Sequence, residues 1–396
     1  MGHEGRASTQ QHGDSQGFRT GLRRQLLALG RHLLPRLPLQ KKKIVFCSFD
    51  GKGFGDNGKY IALEILRQKL DVDLVWLIHP HLMDKARFPS GVRPAPYWTL
   101  QGLYEMATAK VWLDNARKVF YPVKRKDQYY IQTWHGGLGM KRSEKEVIHA
   151  LDPTYVQVAI QDSKMADLFI SNSDYQTKKY RNAYWYDGEI MESGLPRNDI
   201  FFQDAAPYRR HVRAAYGIPA DNPIVLYAPT FRAQHGLDVY NLDYDQVKNA
   251  LAHRFGGEWT MMVRLHPNMS YLADQVEGQV VNATRYDDMM ELLAACDVLI
   301  TDYSSSAFDF ALTRRPCFLY LPDVAAYQAD RDLSFPLHVL PFPQGETGVA
   351  LADAIRVFDQ GAYVAALDGF YAAQGLKDDG HGSERVVERI RDIIGG

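Results

Sequence analysis

The 396-residue chain predicts an α/β protein of two Rossmann-like halves. Their parallel sheets face a central cleft, and a basic amphipathic helix precedes them. Three observations predict this. Short β-rich apolar runs alternate with helix-period segments, as in parallel sheets covered by helices. The alternation comes in two series that meet near residue 205. Unusual polar clusters follow the ends of several runs, where open parallel sheets bind ligands.

The first unit is 1–40. Residues 1–17 are polar and rich in Gly, Ser and Gln, a composition expected to stay disordered. Residues 18–43, FRTGLRRQLLALGRHLLPRLPLQKKK, hold eight Lys or Arg and no acid. Leu22, Leu26, Leu29 and Leu33 recur at helical spacing, flanked by Leu27 and Leu34, while Arg23, Arg24 and Arg31 fall elsewhere on the wheel. The pattern is a basic amphipathic helix ending near Pro35. Such a helix suits an anionic membrane surface, apolar side down. A helix packed on its own protein would show the same stripe.

Residues 41–204 form the first half, expected to take the acceptor. Its strands are predicted at 43–49, 73–79, 110–115, 128–134, 167–173 and 189–194. A helix over 60–70 places Ile61, Ile65 and Leu66 on one face, with Asp56 or Asn57 as its cap. Residues 205–376 form the second half, expected to take the donor. Within YRRHVRAAYGIPADN (208–222) a helix stops at Gly217-Ile218-Pro219, and strands follow at 223–229, 259–266, 297–303 and 316–322. Residues 377–396 close the chain with SERVVERIRDII, a helix capped by Ser383 with Val386, Val387, Ile390 and Ile394 on one side. It is expected to pack back across the junction between the halves.

Composition narrows the function. A net charge of -1 argues against coating nucleic acid. Cys47, Cys296 and Cys317 have no CxxC spacing and read as small buried hydrophobes in a reducing compartment. No run of eighteen apolar residues predicts a membrane span, and no secretory signal is visible.

The polar clusters carry the chemistry. TDYSSSAFDF (301–310) ends a strand at Thr301 and Asp302 and opens a helix with Ser304, Ser305 and Ser306. Free backbone N–H groups and hydroxyls at a helix start suit a phosphate. Ordinary serine capping needs only one hydroxyl. VRLHPN (263–268) puts Arg264 and His266 on the same side of a strand, a pair able to neutralise a phosphate and protonate a departing oxygen. YAPTFR (227–232) adds Thr230 and Arg232. His135 follows Trp134 and precedes Gly136 and Gly137, so a substrate can approach a histidine suited to general-base work. Lys141 and Arg142 just beyond it suit an anionic acceptor. A histidine bonded into a tight turn would read alike.

These motifs resemble the CDP-glycerol glycerophosphotransferases of teichoic acid and capsule polymer synthesis. The resemblance runs in order through FCSFDGKGFGDNGKYI (46–61), QTWHGGLGMKR, SNSDYQTKKY (171–180), ESGLPRNDIFF (192–202), VLYAPTFR, RLHPN, DVLITDYSSSAFDFAL and DDGHGSERVVERI (378–390). It covers residues 43–393, with glycine in WHGGLGMK where the family often has proline. It implies a GT-B fold and transfer of glycerol phosphate from CDP-glycerol to a hydroxyl, with release of CMP. It implies His135 as base, His266 at the donor phosphates, and Thr301, Asp302, Ser304 and Ser305 at the donor pyrophosphate. It also implies work at the cytoplasmic face of the membrane on a lipid-linked acceptor. No tightly bound metal or other cofactor is expected, because Asp71/Asp73 and Asp243/Asp245 read as solvated loop acids. The rival readings are a nucleotide-sugar glycosyltransferase of the same fold, a CDP-ribitol enzyme, and a non-catalytic scaffold.

Overall fold

The computed structural model describes residues 24–230, 242–266, 269, 278–325, 327 and 333–395. The first sheet orders its strands β3-β2-β1-β4-β5-β6-β7. These are β1 (Gln40–Cys47), β2 (Asp73–Ile78), β3 (Val92–Pro96), β4 (Ala109–Asp114), β5 (Tyr129–Gln132), β6 (Leu168–Ile170) and β7 (Glu189–Met191). The second sheet is β10-β9-β8-β11-β12-β13. Its strands are β8 (Ile224–Ala228), β9 (Thr260–Val263), β10 (Val281–Asn282), β11 (Val298–Thr301), β12 (Cys317–Tyr320) and β13 (Gln344–Gly345). Every pairing is parallel. Each sheet therefore runs outward in both directions from its first strand, the doubly wound order. The direction reverses between β1 and β4, and again between β8 and β11.

Alternation along β1 shows why the first sheet is buried on both faces. Ile44 and Phe46 join one apolar cluster, and Val45 and Cys47 join another on the opposite side. The C-terminal helix Gly382–Ile394 supplies Val386, Val387 and Ile390 to the first of these clusters. Its start is not capped by Ser383. Asp199, from the segment Pro196–Phe202, accepts from the N–H groups of Gly382 and Ser383 at 2.9 and 2.7 Å. The three cysteines are buried and free.

Helix α1 (24–33) covers part of the expected N-terminal helix, and residues 18–23 lie outside the described ones. Leu27 and Leu34 pack into the cluster of Val45 and Trp112. A Cβ on Gly30 would come within 2.8 Å of Leu100, so glycine permits the close approach. Leu26, Leu29 and Leu33 remain exposed.

Helix α2 (Asp56–Arg67) binds the halves together. Lys59 reaches Asp288 and Glu291 at 2.6 and 2.7 Å, and the Tyr60 hydroxyl donates to Asp288 at 3.0 Å. Neither Asp56 nor Asn57 is its cap. Gly55 stands at that position, and both polar side chains turn inward to the site.

Candidate active site

His135 leaves β5 through Thr133 and Trp134. The surrounding backbone is under strain. Phe49, Asp50, Asp56 and Trp134 all hold left-handed φ between 45 and 58°, each costing about 1–3 kcal/mol. The His135 ring stacks on Trp134, with centroids 4.6 Å apart, and tilts against Phe49 at 5.6 Å. Trp134 is fixed from behind by the Arg117 guanidinium, 5.2 Å from its ring. Arg117 in turn donates to Glu144 at 2.8 and 2.5 Å and to Asp162 at 3.1 Å.

The proton on His135 is placed by one contact. Its Nδ1 lies 2.7 Å from the carbonyl oxygen of Asn115, just past β4. A carbonyl only accepts, so Nδ1 carries the hydrogen and Nε2 carries the lone pair. Enclosure by protein lowers the imidazole pKa, and the Arg197 charge lowers it further, against the opposing Asn115 carbonyl and Asp56. The ring is neutral at pH 7, the state a general base needs.

The second half meets this loop closely. A Cβ on Gly136 would have the Ser305 hydroxyl, at 3.9 Å, as its nearest neighbour. Gly136 thus opens toward Ser305. Gly137 has a packing reason of its own. A Cβ there would fall 2.5 Å from the Asn172 side chain, so the glycine allows the loop to seat on SNSD. Lys141 crosses to the second half, where its backbone bridges to Leu333 and its ammonium lies 5.7 Å from the Tyr327 ring centre. Arg142 is exposed at the rim.

Arg264 and His266 follow β9. Arg264 is 9% exposed, and its Nη1 has no hydrogen-bond partner among the described residues. Burial lowers its pKa, with Asp288, Tyr216, Asp287 and Tyr286 only partly opposing. A buried, incompletely paired guanidinium is a costly group unless an anion joins it. His266 has an exposed edge. Desolvation of its ring, then the charges of Lys141, Arg264, Lys52 and His135, hold its pKa well below the usual value. The ligand-free protein therefore presents a neutral His266, not the proton donor expected from sequence. Negative phosphate among the same cations would reverse that shift.

The serines divide their roles. The Ser304 hydroxyl accepts from the Ser306 N–H at 3.2 Å and starts helix α9 (Ser306–Ala311). The Ser305 hydroxyl faces Gly136. Thr301 and Asp302 act within the protein. Thr301 is fully buried and donates to the Ala228 carbonyl at 2.6 Å. Both Asp302 carboxylate oxygens accept from the Thr230 N–H, at 2.9 and 3.0 Å. They clasp β8 to β11 at the switch point, and a carboxylate there would repel a pyrophosphate. Thr230 is buried in the same clasp. Arg232 lies outside the described residues.

Sequence reading missed Arg197, Asp309, Asn115 and Asp378. Arg197 donates to Asp56 at 2.8 Å, to the His135 carbonyl at 2.7 Å and to Asp309 of α9 at 2.8 Å. Asp378 accepts from the Leu195 N–H at 2.7 Å and from the Asn172 and Asn198 side chains at 2.6 and 3.2 Å. Burial pushes its pKa up to about 7. The available signal was the density of polar residues in GLPRNDIFF and DDGHGS, within segments that otherwise read as loop.

Among the described residues, no group of three or more His, Cys, Asp or Glu side chains gathers as a metal-ligand set.

Known proteins align with this architecture along nearly the whole chain. A teichoic acid glycerol-phosphate transferase of Staphylococcus aureus is 29% identical, over 90% of this chain and 95% of its own. A teichoic acid poly(glycerol phosphate) polymerase of Bacillus spizizenii is 30% identical, over 89% and 93%. A structure of the wall teichoic acid polymerase TagF, a variant soaked with CDPG, superimposes with a TM-score of 0.79 at 27% identity, covering 90% of each chain. The family model for CDP-Glycerol:Poly(glycerophosphate) glycerophosphotransferase matches residues 31–392, and this chain belongs to that family.

Proposed function

We propose that this protein transfers glycerol phosphate from CDP-glycerol to a hydroxyl of a membrane-linked acceptor and releases CMP, in the synthesis of a teichoic-acid-like polymer. The observation that carries the reading is His135, with its tautomer fixed by Asn115 and its loop set against Ser305. The acceptor O–H gives its proton to Nε2 of His135 while its oxygen attacks the β-phosphorus. The bond from that phosphorus to the bridging oxygen breaks, and CMP leaves with the electron pair. The charges of Lys141, Arg264 and Lys52 all act on His266, which supports this cationic group as the one that meets the charge accumulating on CMP. A positioned base contributes about 10²–10⁴-fold in rate, and orientation with charge stabilisation supplies the rest. Because cations of the protein meet the donor's charge, turnover is proposed to need no tightly bound metal.

The test is mass spectrometry of acceptor lipid after incubation with CDP-glycerol, CDP-ribitol or a nucleotide sugar. A gain of glycerol phosphate from CDP-glycerol is expected. A gain of sugar alone would overturn the reading.

Membrane attachment is proposed at helix α1. No helix among the described residues is long and apolar enough to cross a membrane. Instead, Leu26, Leu29, Leu33 and Leu37 lie exposed on or just after α1. The exposed Leu100 and Val123 sit on segments that touch it: Gly30 abuts Leu100, and the Val123 N–H donates to the Arg31 carbonyl. An apolar patch with Arg24, Lys41 and Lys42 nearby in sequence matches an anionic bilayer at the cytoplasmic face.

A further inference from the structure

The two halves of the site must keep a fixed spacing, because the base belongs to one and the donor phosphates to the other. We propose that Arg197 is the positioning residue that sets this spacing for transfer, by tying the main chain of the His135 loop to the helix that carries the donor-side serines. The inference rests on the transferase reading above.

The geometry is specific. Nη1 of Arg197 donates to the His135 carbonyl at 2.7 Å and to Asp56 Oδ2 at 2.8 Å, both in the first half. Nη2 donates to Asp309 Oδ2 at 2.8 Å, in the second half. Asp309 lies in α9, three residues beyond Ser306, and its own N–H reaches the Ser305 carbonyl at 3.3 Å. A planar guanidinium with fixed donors transmits position better than a flexible ammonium. Asn57 reinforces the first-half side, accepting from the Arg197 N–H at 3.1 Å and donating to the Trp134 carbonyl at 3.0 Å. The peptide bonds on either side of the His135 α-carbon are thus both fastened. The cluster is closed to solvent, with Asp56, Asn57, Arg197 and Asp309 each less than a tenth exposed.

A buried ion cluster is poor evidence for stability alone, since burying charges is expensive. The Lys59–Asp288–Glu291 contact also joins the halves. Arg197 differs in what it grips: the residue that would take the proton, and the helix beside the phosphates. A misplacement of about 1 Å between reacting groups costs on the order of 100-fold in rate.

The experiment compares Arg197→Gln, Arg197→Lys and Asp309→Asn with Lys59→Met, which removes a different ion pair between the halves. Turnover of CDP-glycerol is measured as kcat and KM, alongside a histidine NMR titration of ligand-free protein, with His135 assigned through His135→Asn. Arg197→Gln is expected to lose about 100-fold in kcat with KM changed by less than about threefold. The NMR titration is expected to move His135 to higher pH, because a nearby positive charge is gone. Arg197→Lys should recover part of kcat and most of the titration. Asp309→Asn weakens only the second-half anchor, replacing a charged acceptor with an amide oxygen, so it lowers kcat even if Arg197→Gln does not fold. Lys59→Met should leave the His135 titration in place. A folded Arg197→Gln with wild-type kcat, or a kcat loss with an unmoved His135, would overturn the proposal. Wild-type protein that leaves CDP-glycerol intact would sink the transferase reading instead. The titration would then still decide whether Arg197 sets the His135 environment.

Discussion

His135 and Arg264 show how single side chains divide the work. In the proposed transfer, with Nδ1 of His135 occupied by Asn115 and its pKa lowered, the active form of the base exists above that pKa and is lost below it. Turnover should be level from pH 7 upward and fall on acidification, with a midpoint below the ordinary histidine value of about 6.5. His135→Asn should abolish transfer and leave CDP-glycerol affinity nearly unchanged in calorimetry. Arg264 predicts a trade between stability and function. Its charge is buried and incompletely paired without donor. Arg264→Met should therefore raise the thermal midpoint by several degrees while eliminating turnover. A fall in both would mean that Arg264 is structural.

At the scale of elements, what holds a loop or helix in place was the least readable part of the sequence. The buried strands were legible because their apolar runs are continuous and end in polar clusters. Strand β3 was not, since Pro94 and Pro96 argue against a strand. The prolines fit because β3 is an edge. β10 and β13, the outer strands of the second sheet, are two residues long and leave no pattern. Helix starts were misread where a distant carboxylate replaces the local cap, as Asp199 does for the C-terminal helix. Asp378 gives this region a pH signature. Its folded pKa of about 7 lies above the unfolded value, so the protonated form favours folding. The contribution of this group is fully present below about pH 4 and is lost as pH rises through 7, by up to about 4 kcal/mol. Asp378→Asn should flatten that decline in denaturant titrations, because the amide does not ionise. An unchanged slope would refute it. For α1, the exposed leucines are separable from the docked ones. Changing Leu26, Leu29 and Leu33 to Ser should weaken sedimentation with anionic liposomes without lowering the thermal midpoint. Leu27→Ser should lower the midpoint instead.

Across the whole molecule, the sequence carried the two doubly wound halves and the convergence of their strand ends, because strand–helix alternation and strand-end polarity are local signals. The sequence singled out His135, Ser305 and Lys141 from separate motifs, and the structure brings the His135 loop beside Ser305 and Lys141 beside Leu333. The tie between them was hidden. Arg197 reaches partners in three motifs far from it in sequence, and no periodicity reports such a contact. The same distance in sequence explains why Thr301 and Asp302 read as ligand groups although they clasp β8 to β11. In the proposed mechanism His135 directs a hydroxyl onto phosphorus and not onto carbon. Chromatography of the nucleotide released during acceptor modification tests it most directly. CMP formed in step with modified acceptor, and absent with His135→Asn, is the predicted result. CDP or UDP accumulating in place of CMP would contradict it.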